Sequence, residues 1–156
     1  MAATTLFAMD VRLVTGNLVS SKEKTSLLTG MEAAFLSSPR SNGLVYSLKV
    51  SGMLDDFKAQ EGGMVAMDLE FIYRMKHKTE IYLLAGGVFR SVNAYDNAFG
   101  WESGMGVRYV WCGGFELGVQ GKGMQLTYQS NQSDTNFRDG DLDTAVLFNV
   151  YGGWRF

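Results

Sequence analysis

The sequence predicts an all-β fold, an eight-stranded antiparallel up-and-down barrel, from three observations. Nineteen glycines against one proline, with 13% aromatic residues, are typical of strands joined by tight turns rather than of a helical bundle. Apolar side chains recur at every second residue along successive segments. The 156 residues, taken as a single domain (1–156), are enough for eight strands of about ten residues each.

The strands are identified by alternation along each segment. In the fourth, Val65, Met67 and Leu69 alternate with Ala66 and Asp68, a spacing that no helix reproduces. The fifth is apolar on both faces, which leaves its register open. The predicted strands cover residues 4–14, 25–36, 44–54, 64–75, 81–90, 101–111, 115–128 and 146–156.

The seventh strand changes its alternation part-way. Leu117 and Val119 fall on one parity, whereas Met124 and Leu126, beyond the two glycines of residues 121–123, fall on the other. A parity change beside glycines is typical of a β-bulge, so a bulge is predicted here.

The connections are predicted to alternate in length. The second, fourth and sixth are short, and they define what we call the lower rim, where both chain ends also fall. The longer, polar connections define the upper rim and cover residues 16–23, 55–63, 91–100 and 130–143. Short turns on one rim and longer loops on the other are typical of membrane barrels.

The direction of the apolar face separates a membrane barrel from a soluble, lipocalin-like one, which remains the alternative fold. Large residues occupy nearly every apolar position, and eight strands enclose a space only just wide enough for side chains. The other face mixes small and charged residues: Gly104 and Gly106 lie between Glu102 and Arg108. Because a crowded interior needs such small residues, the pattern favours a transmembrane barrel whose apolar face contacts lipid.

The charges on the predicted inner face nearly balance, so each buried charge has candidate partners. We expect an interior charge network of Asp10, Arg12, Glu32, Lys49, Asp68, Glu70, Arg74, Arg90, Glu102, Arg108, Glu116, Lys122 and Arg155. Paired charges are expected to plug the lumen rather than to line a pore.

Aromatic residues concentrate where the strands reach the lower rim, as expected for a girdle at a membrane interface. The predicted girdle comprises Phe7, Phe35, Tyr46, Phe71, Tyr73, Tyr109, Trp111, Phe115, Trp154 and Phe156. A thinner set at the upper rim includes Phe89 and Trp101.

The second half of the chain carries a resemblance. The segments 82–88 (YLLAGGV), 104–109 (GMGVRY), 115–119 (FELGV) and 150–156 (VYGGWRF) resemble the small outer-membrane barrels of Gram-negative bacteria, of the OmpX/Ail and OmpA-transmembrane kind. The resemblance implies a bacterial outer-membrane location, a signal peptide removed from a precursor, and contact with the outer-membrane assembly machinery. The Gly–x–Arg–Phe ending is similar to the assembly signal of that class, which implies such a role for Phe156.

Catalytic and metal-binding residues are not predicted. His77 lies in a predicted lower-rim turn without a nucleophile or orienting acid beside it. The acidic segment 139–143 has spaced carboxylates but lacks a complete calcium-loop motif. The single cysteine, Cys112, excludes an intrachain disulfide, and a net charge of -2 gives no electrostatic case for nucleic acid. No cofactor is expected.

We therefore expect a monomeric, non-enzymatic outer-membrane barrel that acts through its upper loops in adhesion, surface protection or lipopolysaccharide contact. Four loop cations, Lys22, Lys24, Lys58 and Arg138, are candidates for lipopolysaccharide phosphates. The alternatives are an outer-leaflet lipid A-modifying enzyme and a soluble lipocalin-like ligand-binding barrel.

Overall fold

The computed structural model describes residues 8–23, 25–37, 43–55, 62–75, 78–92, 96–130 and 138–156, which form a closed antiparallel barrel. Every strand pairs with its neighbours in sequence, and β1 pairs with β8. The predicted fold class is confirmed. The strands are β1 (Ala8–Ser20), β2 (Ser26–Leu36), β3 (Leu44–Asp55), β4 (Gly63–Arg74), β5 (Thr79–Ser91), β6 (Asp96–Val110), β7 (Phe115–Ser130) and β8 (Leu142–Arg155). Within the described ranges, no helix is long and apolar enough to cross a membrane.

The pairing register shows how far the strands are staggered. Stepping from Asp10 on β1 to its partner on each following strand leads to Ala145 on β8, whose partner on β1 is Ser20. One circuit therefore climbs from position 10 to position 20, a shear of ten residues. A stagger of this kind tilts the strands and lets an eight-stranded barrel close around a space that side chains can fill.

Two strands extend into segments predicted as loops. β1 continues to Ser20, and Gly16 pairs with Leu28 on one side and Asn149 on the other. A Cβ at Gly16 would lie 1.9 Å from Oδ1 of Asn149, so this inward position requires glycine. β6 begins at Asp96. The predicted alternation of connection length is therefore wrong, because the upper-rim connections 21–25 and 92–95 are as short as those of the lower rim.

The predicted bulge in β7 is also wrong. Its register to β6 and β8 runs without interruption past Gly121 and Gly123. Both glycines face outward, and Met124 and Leu126 point into the barrel on the same parity as Lys122. The same alternate residues face inward along the whole of β7. What changes at this height is the interior itself, which is charged below and apolar above.

The outward face is apolar, as the sequence predicts. Leu48, Leu69 and Val107 are exposed by 42%, 53% and 40%. Inward-facing glycines make room for large side chains: a Cβ at Gly106 would lie 2.3 Å from Oη of Tyr82. A soluble, lipocalin-like barrel requires its apolar face to pack in the interior. Here the apolar face points outward, which does not fit that alternative.

Candidate functional site

The interior of the barrel contains a connected set of ion pairs in its lower half. The structure places every residue of the expected network there except Arg90, and it adds Glu80. Among the described residues, this lower network comprises seven carboxylates (Asp10, Glu32, Asp68, Glu70, Glu80, Glu102 and Glu116) and six cations (Arg12, Lys49, Arg74, Arg108, Lys122 and Arg155).

Arg12 lies at the centre of the lower network. Its guanidinium contacts Asp10 at 2.9 Å and Glu70 at 3.5 Å, and its Nε donates to Glu116. The guanidinium carbon also lies 5.0 Å from the ring centroid of Tyr151. Arg12 and these three carboxylates are inaccessible to solvent. Ion pairs this deeply buried require several hydrogen bonds each to offset desolvation, and the guanidinium fork supplies them.

Glu80 is the network member that the sequence prediction missed. It accepts hydrogen bonds from Arg155 at 2.9 and 3.0 Å, from Arg74 at 2.7 Å and from Arg108. The sequence pattern predicts that β5 begins at residue 81, which leaves Glu80 in the preceding turn. The signal was present, since Glu80 has the same parity as Tyr82 and the alternation extends one step further.

The upper part of the lower network is built around two lysines. Lys122 lies 2.6 Å from Glu102 and 3.1 Å from Asp68. Lys49 lies 3.3 Å from Asp68 and donates to the side-chain oxygen of Gln120 at 3.2 Å. Asp68 therefore bridges the two ammonium groups across the lumen.

Two tyrosines join this network to neutral groups. The hydroxyls of Tyr82 and Tyr151 lie 2.9 Å apart, and Tyr82 donates to Gln120 at 3.2 Å. Gln120 in turn donates to Glu32 at 3.0 Å. The buried hydroxyls thus find partners within the interior, as buried polar groups must.

An apolar layer lies above the lower network. On β1, β2, β3 and β5, an inward polar residue lies at the upper rim. The next inward residue down each of these strands, two positions away, is apolar: Leu18, Leu28, Met53 and Val88. With their neighbours, the buried residues of the apolar layer are Leu18, Leu28, Met53, Met64, Val88, Met124 and Leu147.

Arg90 belongs to a separate upper cluster above the apolar layer. Its Nε donates to Oε1 of Glu23 at 3.0 Å, and its Nη2 donates to Oε2 of Glu23 at 2.6 Å and lies 3.4 Å from Asp55. Tyr128 donates to Glu23 and, at 3.1 Å, to Asp143. We call these five residues the upper cluster. It joins the β1–β2 connection to β3, β5, β7 and β8, and its position corrects the prediction that Arg90 shares the lower network.

The aromatic residues of the lower rim form contacts with one another. Tyr109, Trp111, Phe115 and Trp154 form a chain with centroid separations of 4.5, 5.3 and 5.0 Å. Tyr46 and Phe71 form a second, edge-to-face pair at 5.5 Å. Phe35, Tyr73 and Phe156 are also exposed at this rim, and Phe7 lies outside the described residues.

Among the described residues, the outward aromatic residues near the upper rim lie on β5 and β6. Phe89 lies 4.8 Å from Phe99, which the sequence prediction placed in a loop. Trp101 is exposed, and its indole N–H donates to Oε1 of Gln125 at 3.1 Å.

The loop residues weighed as binding sites have other partners or fall outside the description. Lys22 pairs with Asp141 at 2.8 Å, and the hydrogen bond from Lys22 lowers the pKa of that carboxyl. Asp143 accepts hydrogen bonds from Ser20 and Ser21. No group of three or more candidate metal ligands occurs in the described part of the chain. His77, Lys24 and Lys58 lie outside the described residues.

Cys112 lies in the exposed β6–β7 connection. Nζ of Lys78, next to β5, lies 2.6 Å from its sulfur. This hydrogen bond and the positive charge of Lys78 lower the pKa of the Cys112 thiol. The turn therefore holds an exposed thiol whose ionisation is favoured by Lys78.

The closed barrel, its apolar outer surface and its charged interior define the class of fold, that of the small eight-stranded outer-membrane β-barrels. No protein-family model and no curated protein sequence matches the chain. The chain is similar in structure to Neisserial surface protein A, with 12% identity, a TM-score of 0.57, and coverage of 93% of this chain and 95% of the other.

Two further solved structures show the same fold. The N-terminal β-barrel domain of Pseudomonas aeruginosa OprF has 12% identity and a TM-score of 0.59, covering 94% of this chain and 97% of the other. Ail of Yersinia pestis, solved in complex with the heparin analogue sucrose octasulfate, has 10% identity and a TM-score of 0.62, covering 96% and 97%. At these identities the likeness concerns the fold.

Proposed function

We propose that the protein is an integral barrel of the bacterial outer membrane, with a plugged interior and a non-enzymatic surface or structural role. The observation that carries this proposal is the inverted distribution of polarity. Leu13, Leu54 and Phe148 are exposed by 68%, 70% and 62%, while Arg12 and Glu70 are fully buried. Water would oppose so extensive an exposed apolar surface, whereas lipid favours it.

The plug is formed by three successive layers. Ion pairs of the lower network cross the lumen, the apolar layer lies above them, and the upper cluster joins five strands and connections at the mouth. Breaking one layer leaves two others in the path of an ion. We therefore expect no steady ion conductance when the barrel is reconstituted in a planar bilayer.

The surface role falls to the upper-rim connections, the part of an inserted barrel that faces outward from the cell. Adhesion, surface protection and lipopolysaccharide contact all suit this location. The barrel acts as a monomer, because its lateral surface is occupied by lipid. During assembly, the last strand, with Phe156 after it, is the segment recognised by the assembly machinery.

Cysteine labelling tests the membrane placement. Single cysteines replace Leu48, Leu69 or Val107 in a Cys112→Ser background, with Ser37→Cys at the exposed lower rim as the water-accessible control. In lipid vesicles, a membrane-impermeant maleimide added from the lower-rim side should label Ser37→Cys only, while a lipid-soluble maleimide should label all four. Labelling of the three outward positions by the impermeant reagent, with solubility in the absence of detergent, would contradict the proposal.

The non-enzymatic role is tested by expressing the barrel in a Gram-negative host and measuring the mass of lipid A. An unchanged mass is expected, because the interior carboxylates and cations are engaged with one another. A changed mass would support a lipid A-modifying enzyme instead.

A further inference from the structure

The outward face of β6, β7 and β8 near the upper rim differs in chemistry from the surface below it. Trp101 lies opposite Gln125, which lies opposite Thr144 on the next strand. One step higher, Phe99 lies opposite Thr127. All five side chains are exposed and point outward. We call these five residues the aromatic–amide patch.

Large apolar residues occupy outward positions near the upper rim on the described far side of the barrel. There, Leu27 on β2, Leu54 on β3 and Val65 on β4 occupy outward positions near the upper rim, and all three are exposed and apolar. Outward polar residues also occur on β1 and β2, where Thr15 lies within hydrogen-bond distance of Thr29 and Asn17 lies opposite Phe148. The patch differs from them in placing two exposed rings, Phe99 and Trp101, beside an amide.

The chemistry of the patch is neutral. No outward-facing position in the described parts of β6, β7 and β8 carries a charged side chain. The indole N–H of Trp101 uses the side-chain oxygen of Gln125, and a carboxamide also has two N–H donors. Exposed aromatic rings beside neutral donors and acceptors suit the hydroxyls and C–H faces of a sugar, whereas phosphate binding requires cations.

Three small residues lie directly below the patch, and we call the surface that they form the depression. Ser103 lies opposite Gly123, and Gly121 lies between Met105 and Phe148 on the neighbouring strands. A Cβ at Gly123 would meet no atom within 4 Å, so this position opens onto free space. The ring of Phe148 would lie 3.4 Å from a Cβ at Gly121, so it forms one wall of the depression. The space beside it, over Ser103 and Gly123, leaves room for an acyl chain against the barrel wall.

We propose that the patch and the depression together bind one glycolipid of the outer leaflet, with its sugar headgroup on the patch and an acyl chain in the depression. This inference rests on the membrane placement proposed above and assigns the glycolipid contact to one lateral face. The patch continues the apolar surface upward along the same strands, so in an inserted barrel it faces the headgroup layer.

The proposed site is tested by counting how many glycolipid molecules the barrel retains. The barrel is reconstituted in nanodiscs of phosphatidylcholine that contain either lipopolysaccharide with only inner-core sugars or phosphatidylglycerol, and lipids retained per barrel are counted by native mass spectrometry. The wild-type barrel should retain lipopolysaccharide over phosphatidylglycerol. The double variant Gln125→Leu/Thr127→Val should lose retention by about tenfold, the effect of losing one or two neutral hydrogen bonds. Gly123→Leu should also lose it, by filling the depression.

Matched controls are available on the other side of the barrel. Thr29→Val removes an outward hydroxyl on β2, and Gly52→Leu fills an outward position on β3 where a Cβ also meets nothing within 4 Å. Both controls should retain lipopolysaccharide as the wild type does. Equal retention by all variants and controls would overturn the assignment.

Two further arms identify the source of binding. Dephosphorylated lipopolysaccharide should be retained by the wild type, and loss of retention would overturn the neutral-sugar interpretation. The free inner-core oligosaccharide should fail to compete, and competition at equal concentration would overturn the membrane-lipid interpretation.

If the wild-type barrel does not enter nanodiscs at all, the membrane placement fails; if it enters and the variants match the controls, only this inference fails.

Discussion

The lower half of the barrel interior is filled by charged side chains, whereas the layer above it is filled by leucine, valine and methionine. Both halves are enclosed by the same strands and covered by the same apolar outer surface. In the lower network, side chains have defined partners on neighbouring and on distant strands, such as Arg74 with Glu80 and Arg12 with Glu70 and Glu116. In the apolar layer, contacts are non-directional and depend on volume alone.

The lower network is therefore sensitive to the charge of its side chains, whereas the apolar layer is sensitive to their volume. Removing one charge from the lower network leaves its partners buried with fewer opposite charges in contact, and repacking does not replace the lost contact. Removing volume from the apolar layer leaves a cavity that neighbouring methionines partly fill. The predictions below separate these two kinds of sensitivity.

The largest effect is expected from Arg12→Met, which keeps much of the volume of the side chain and removes its charge. Asp10, Glu70 and Glu116 then lose their shared cation, so the free energy of unfolding should fall by about 3–5 kcal/mol. Urea unfolding in detergent micelles measures this. The triple variant Arg12→Met/Glu70→Gln/Glu116→Gln should recover part of the loss; a triple variant less stable than Arg12→Met would contradict the pairing argument.

A smaller effect is expected from Met53→Ala in the apolar layer. The lost side-chain volume should lower the free energy of unfolding by about 2–4 kcal/mol in the same urea experiment. Met53→Leu, which nearly conserves volume, should cost less than about 1.5 kcal/mol. If the two variants were equally destabilised, volume would not be what this layer requires.

Arg90→Gln tests whether the upper cluster acts independently of the lower network. Glu23 and Asp55 lose their cation, which should cost about 1–3 kcal/mol and free the β1–β2 connection that Glu23 anchors. Trypsin should then cleave after Lys22 faster than in the wild type, while Arg90→Lys should be intermediate. Additive losses in Arg90→Gln/Arg12→Met would indicate separate clusters, and strong coupling would show one continuous network.

The smallest effect on the fold is expected outside the interior, at the exposed pair of Lys78 and Cys112. Lys78→Asn suits the positive φ of 63° at this position and removes the hydrogen bond to the thiol. Because Lys78 lowers the pKa of Cys112, its loss should raise that pKa and reduce the thiolate fraction near neutral pH. Alkylation by iodoacetamide should become slower and its pH profile should shift upward, with urea stability unchanged. An unshifted profile would exclude the pair in solution.

The sequence alone was sufficient to predict the side of each strand that faces outward. Period-two alternation is a local property of an extended chain, so Leu48, Leu69 and Val107 were placed without knowledge of the partner strands. The inward-facing charges followed from the same parity. Strand ends were less predictable, because Gly16 and Asn17 are typical of loops and form part of β1 through pairing on both sides.

Only the tertiary structure decided which inward side chains meet. The shear of ten residues sets the height of every strand relative to the next, and no local pattern contains this offset. It brings Glu80 to Arg155 and raises Arg90 to Glu23, beyond the apolar layer. It also sets Met124 and Leu126 at the height where the interior becomes apolar, which is why a change of environment along β7 looked in the sequence like a change of parity.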